Sequence, residues 1–189
     1  MEQKNFKYPF YSIFHQINIY YHYYCSRVFM LSAETGQGKS TQFPKLLNYC
    51  YYVLYNVFPK ILITQPRILP VENNFKTITN ELNTNYFYEE NDPFNTKPIQ
   101  YKTSKKNEVD INNNKCIMIY TDGLFLLDLF NNFILKKFKN NQFTISNIFD
   151  IIIIDEAHEH NKNIDFALTI LRISLCFNLT LKIIIVSAT

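Results

Sequence analysis

Residues 28–41 read Val-Phe-Met-Leu-Ser-Ala-Glu-Thr-Gly-Gln-Gly-Lys-Ser-Thr. An apolar run leads into a glycine-bearing loop, and the loop leads into a stretch that suits a helix. In that strand–loop–helix setting such a loop cradles phosphate. Gly36 and Gly38 let several backbone N–H groups close on an anion. The helix beyond aims its free N–H groups and positive end at the same point. Lys39 supplies a point charge for the β- and γ-phosphates, and Ser40 a hydroxyl for Mg²⁺. The loop residues Ala33, Glu34, Thr35, Gly36, Gln37, Gly38, Lys39, Ser40 and Thr41 are therefore read as holding ATP or another NTP, with Mg²⁺. Ala33 stands where the usual pattern has Gly, a change that a modest backbone adjustment absorbs.

Residues 150–160 read Asp-Ile-Ile-Ile-Ile-Asp-Glu-Ala-His-Glu-His. Four isoleucines form a buried strand with two carboxylates at its C-terminal end, where ligands bind in an open α/β sheet. Asp155 is expected to hold Mg²⁺ opposite Ser40. Glu156 is expected to orient and deprotonate the attacking water. His158 is expected to link the site to neighbouring segments, while Glu159 and His160 are read as exposed.

Short apolar runs at 28–31, 61–64, 116–120, 151–154 and 183–186, with a further one at 99–103, alternate with amphipathic stretches at 40–53, 69–82, 123–130 and 164–176. This is the pattern of an α/β protein with a parallel sheet, its strands buried on both faces and its helices on both sides. Segments 83–97 and 104–115 are read as solvated loops. Residues 8–24 are dense in Tyr and Phe and are expected to form a helix packing its rings on the sheet edge. The 189 residues suffice for one domain, and a net charge of +3 announces no particular partner. Cys25, Cys50, Cys116 and Cys176 lack metal-ligand spacing and are read as free, mostly buried thiols. No apolar run approaches the ~18 residues of a membrane span, and the polar N-terminus is not a secretory signal. An intracellular, cytoplasmic protein is expected.

The loop at 33–41 together with Asp155-Glu156-Ala157-His158 resembles the DEAH-box branch of superfamily 2 helicases. Thr64-Gln65-Pro66-Arg67 resembles its motif Ia, Thr121-Asp122-Gly123 its motif Ib and Ser187-Ala188-Thr189 its motif III. The resemblance implies a RecA-like P-loop fold and 3′ to 5′ polarity. It implies that Pro66, Arg67, Thr121, Asp122 and Gly123 line a track for the backbone of RNA, or DNA, and that Ser187 and Thr189 couple hydrolysis to domain movement. Phosphate contacts of this kind give affinity without sequence preference. Finer similarities at 66–71 and 155–161 resemble the nucleoside triphosphate phosphohydrolase helicases of poxviruses and related large cytoplasmic DNA viruses. A virion or viral factory would then be the location.

The expected division is an aromatic N-terminal segment, 1–27, and a first RecA-like domain, 28–189. A second RecA-like domain, which would supply arginines to the γ-phosphate, is missing from this sequence. The chain alone is therefore expected to bind nucleotide weakly and to hydrolyse it slowly. The competing reading is a nucleotide-dependent module that grips RNA or protein without turnover. A kinase or GTPase is disfavoured by the order of the motifs.

Overall fold

The computed structural model describes residues 13–82, 98–105, 107–108, 117–159 and 161–188. The strands are β1 (Val28–Ser32), β2 (Ile61–Gln65), β3 (Ile99–Lys102), β4 (Asn107–Glu108), β5 (Ile117–Thr121), β6 (Lys136–Lys139), β7 (Gln142–Asn147), β8 (Ile151–Ile154) and β9 (Lys182–Ser187). The helices are α1 (Ile13–Cys25), α2 (Gln42–Tyr55), α3 (Ile68–Glu81), α4 (Asp122–Asn131) and α5 (Lys162–Phe177).

Seven strands form one sheet in the order β1-β9-β8-β2-β5-β3-β4. Every neighbouring pair is parallel except β3 with β4. Alternate side chains of the central strands enter opposite cores, as the two-residue period of a strand requires. Ile61, Ile63, Ile117, Ile119, Ile151, Ile153, Ile184 and Val186 meet α1, α2 and α3 on one face. Leu62, Met118, Tyr120, Ile152, Ile154 and Ile183 meet α4 and α5 on the other. The expected fold, a parallel sheet with helices on both faces, is what forms.

Four expectations change. β1 is an edge strand, with Val28 44% and Met30 66% exposed, because among the described residues only β9 pairs with it. The 104–115 loop contains β4, which turns back on β3. A hairpin of β6 and β7 lies in a stretch that carried no strand in the sequence reading. Its turn is Asn140-Asn141, with φ of +52° and +60°, the pair of left-handed residues that closes a two-residue hairpin and that Asn tolerates. Finally, the described thiols are not mostly buried: Cys50 is, whereas Cys25 and Cys176 are exposed. Cys116 and segment 83–97 lie outside the described residues.

Helix α1 is part of the core. Ile19 and Tyr23 are buried against α2 and the sheet. Lys182 of β9 donates to the carbonyls of Tyr23 and of Ser26, the latter at 2.9 Å, with its ammonium 4.5 Å from the Tyr23 ring centre. Arg27, at the junction of α1 and β1, donates to the carbonyls of Leu175 (2.6 Å) and Asn178 (3.2 Å) at the C-terminal end of α5. A cation at that negative end of a helix is favourable. Residues 1–12 of the aromatic segment lie outside the described residues.

Candidate nucleotide site and strand track

Strand order brings the sequence motifs together. At the C-terminal edge the register aligns Ser32 with Ser187 and Ile154 with both Ile185 and Thr64, and it aligns Gln65 with Thr121. The phosphate loop, the Ser187 segment, the Asp155 turn, the Arg67 segment and the Thr121 segment thus leave adjacent strands side by side.

Gly36 and Gly38 have φ of +83° and +82°, the left-handed region that disfavours other residues. A Cβ on Gly36 would meet nothing within 4 Å, whereas one on Gly38 would lie 2.7 Å from Gln42 Cγ. The first glycine therefore borders open space and the second packs under the helix start. That helix begins at Gln42, two residues later than the sequence suggests. The N–H groups of Thr41, Gln42 and Phe43 converge on the Gly38 carbonyl at 3.2, 2.7 and 3.3 Å, so the first turn is wound around that oxygen. Ala33 donates its N–H to the Ser187 carbonyl at 3.3 Å. Lys39 is 5% exposed and donates to the Ala33 carbonyl, which keeps its ammonium inside the loop. Glu34, Thr35 and Gln37 line the outer side, and Gln37 donates to Glu34 at 3.3 Å.

Asp155 is 1% exposed. Its Oδ2 accepts from Gln65 Nε2 at 2.6 Å and its Oδ1 from the N–H of Glu156 at 2.9 Å. Burial raises its pKa above the ordinary 3.8; the Ser40 hydroxyl, hydrogen-bonded to it, works the other way, and the charge of Glu156 adds to the rise. Ser40 and Asp155 are thus hydrogen-bonded directly to each other. Glu156 adopts a left-handed backbone, φ +54°, an uncommon conformation for such a residue. It opens the 3₁₀ turn Ala157–Glu159, closed by the Glu159 N–H on the Glu156 carbonyl at 3.0 Å.

His158 joins two of the motifs. Its Nδ1 accepts the Ala188 N–H at 3.2 Å, which leaves the ring proton on Nε2, 3.5 Å from Glu156 Oε2. Ser187 is buried and donates to the Ala188 carbonyl at 3.0 Å. Thr189 and His160 lie outside the described residues.

The track residues divide. Arg67 is exposed and pairs with Glu159, Nη2 to Oε1, at 3.3 Å; Pro66 beside it is half-buried. Thr121 takes the N-cap position of α4 without making a side-chain cap bond. A Cβ on Gly123 would stand at an ordinary 3.5 Å from Asn163, so local packing does not demand a glycine there. Asp122 departs from the expectation. It is 3% exposed and turned inward, and its Oδ2 accepts from Asn161 Nδ2 at 2.9 Å. Burial raises its pKa, and the Asn161 bond counters the rise. Its carboxylate positions α4 from within instead of facing a strand.

Two residues of this site escaped the sequence reading. Gln65 stood inside the motif Ia match, but only Pro66 and Arg67 were given a role. Asn161 accepts the Ile164 N–H at 2.9 Å and so caps α5, while its amide holds Asp122. Asn is a preferred cap residue, and its place before the apolar period at 164 was the available signal.

Residues 13–189 match the family described as "Type III restriction enzyme, res subunit", a helicase domain. The chain belongs to this helicase-domain family, and it is a first RecA-like domain of the DEAH type of superfamily 2. This helicase domain is 37% identical over 195 residues to R366 of Acanthamoeba polyphaga mimivirus, named as an ATP-dependent RNA helicase; the match covers 92% of the domain and 11% of that protein. It is 34% identical over 163 residues to the ATP-dependent RNA helicase HrpA of Escherichia coli, covering 86% and 11%. The crystal structure of the Escherichia coli DEAH/RHA helicase HrpB superposes with a TM-score of 0.70 at 25% identity, covering 92% of the domain and 19% of that chain. The domain thus spans about a tenth of the length of the curated relatives named here.

Proposed function

We propose that this domain binds and hydrolyses ATP, or another NTP, to drive 3′ to 5′ movement of a longer protein along RNA, or along DNA held by the same backbone contacts. One observation carries the reading: Lys39, Ser40, Asp155 and Glu156 converge at one strand edge beside Arg67 and Thr121. Ser40 and Asp155 offer hard oxygen donors of the kind Mg²⁺ prefers. The open space over Gly36 leaves room for a phosphate chain. Mg²⁺ bound there would neutralise phosphate charge as the bond to the leaving group breaks. Lys39 would exchange the Ala33 carbonyl for phosphate oxygens. Glu156 would hold the attacking water, and His158 would keep that carboxylate oriented.

RNA as the polymer is supported by the names of the relatives, and by an exposed guanidinium at Arg67 suited to phosphate. A second RecA-like domain as partner is supported by the greater length of those relatives. The mimivirus relative supports a viral source; action in the cytoplasm or a viral factory is part of the same proposal. Segment 1–27 is read as an aromatic segment packed on the motor domain 28–189, a reading supported by the burial of Ile19 and Tyr23 against α2 and the sheet.

The test is Glu156→Gln beside the unaltered chain. Slow ATP hydrolysis in the unaltered chain that Glu156→Gln abolishes, with nucleotide binding kept, supports a motor domain. Equal hydrolysis in both would overturn the role of Glu156. Absence of turnover in both, with tight RNA binding, would favour a binding module.

A further inference from the structure

The end of strand β2 and the residues that follow it touch the 155–159 turn twice. Gln65 donates to Asp155 at 2.6 Å, and both residues are buried. Two residues on, Arg67 pairs with Glu159 at 3.3 Å, with the guanidinium side chain 73% exposed. Glu156 lies between these contacts in its left-handed conformation, its carbonyl bonded by the Glu159 N–H. Glu159 is thus held from two directions, by its own N–H to Glu156 and by its carboxylate to Arg67.

We propose that Glu159 is a positioning residue that occupies Arg67 in place of a strand phosphate, so that arrival of the strand releases the turn carrying Glu156. The inference deepens the proposed strand track and rests on it. Its physics is an exchange of partners. An exposed ion pair of this kind contributes little to stability. A guanidinium–phosphate contact is charge-assisted, often bidentate, and aided by counterion release. The Gln65–Asp155 bond is shut away from solvent, so a strand cannot compete for it. One end of the turn therefore stays fixed at the Mg²⁺ side, while the other end opens. Glu156, between them, loses the brace that Glu159 provides and can adjust towards its water. Strand binding and hydrolysis are linked through a few residues of one loop.

The test uses the whole 189-residue chain and a labelled single-stranded oligouridine, followed by fluorescence anisotropy. Glu159→Gln should tighten binding by up to about fivefold, the equivalent of releasing a pair worth ~1 kcal/mol. Asp165→Asn, an equal charge change at an exposed site in the first turn of α5, should change it less than about twofold. In an Arg67→Gln background Glu159→Gln should have no effect. A gain that persists in that background, or equals that of Asp165→Asn, overturns the exchange as mere charge removal. If Arg67→Gln leaves binding unchanged, it is the track reading of Arg67 that fails. Amide hydrogen exchange supplies the second readout. Exchange across 157–159 should rise when oligouridine binds the unaltered chain, and should already be raised in free Glu159→Gln. Unchanged exchange in both would overturn the release of the turn.

Discussion

Asp155 is a buried carboxylate whose donors only partly offset its desolvation, so its pKa is raised. The sign of its effect on stability follows. Between the ordinary 3.8 and the higher folded value, the folded state binds more protons than the unfolded one. The carboxylate therefore costs stability at neutral pH, and that cost disappears below 3.8, where both states are protonated. Asp155→Asn is expected to raise the melting temperature of the nucleotide-free protein at pH 7, with the gain shrinking as pH falls, while Mg²⁺-dependent nucleotide binding is lost. Thermal melts across pH check this; a lower melting temperature at every pH would contradict it. The two loop glycines should separate in the same assays. Gly38→Ala combines left-handed backbone with a contact to Gln42 and is expected to cost about 2 kcal/mol or more. Gly36→Ala is expected to cost about 1 kcal/mol, because its site is open, yet to abolish nucleotide binding by filling the phosphate space. Urea unfolding and nucleotide titration of the two variants distinguish these costs.

Among the elements, α1 makes the sharpest claim. Tyr23 is fully buried and lies in the core shared by α2 and the sheet. Tyr23→Ala is expected to destabilise the whole domain by about 3–5 kcal/mol, in the range of large aromatic truncations. A loss below about 1 kcal/mol in denaturant unfolding would mean that α1 is an appended arm. The β6–β7 turn makes a smaller claim. Asn140→Gly and Asn141→Gly should be tolerated, and the corresponding Ala variants should weaken the hairpin, since both positions are left-handed.

These elements also show what the sequence made legible. The isoleucine run of β8 and the apolar runs of β2 and β5 read as buried strands, because a strand covered on both faces leaves a continuous apolar signature. β1 read the same way yet lies at the edge, since an apolar run does not say how many neighbours it has. The hairpin was missed because Lys136, Lys137 and Lys139 obscure its alternation and its turn lacks glycine. In the site, chemistry-bearing residues such as Lys39 and Asp155 were legible from type and spacing. Gln65 and the inward turn of Asp122 were not, because both depend on which strands are neighbours.

At the scale of the molecule, the strand order is the decisive feature. β9 between β1 and β8 sets the Ser187 segment against the phosphate loop, and β2 between β8 and β5 sets Gln65 beside Asp155 and Thr121. Motifs scattered from 33 to 188 in the chain thereby share one edge. His158, bonded to Ala188 and facing Glu156, spans that edge. The central claim is that this edge is a Mg²⁺–nucleotide site, and calorimetric titration of the chain with ATP tests it most directly. Binding should require Mg²⁺, vanish in Lys39→Ala and Asp155→Asn, and persist in Glu156→Gln; binding that ignores Mg²⁺ or survives Lys39→Ala would contradict the account.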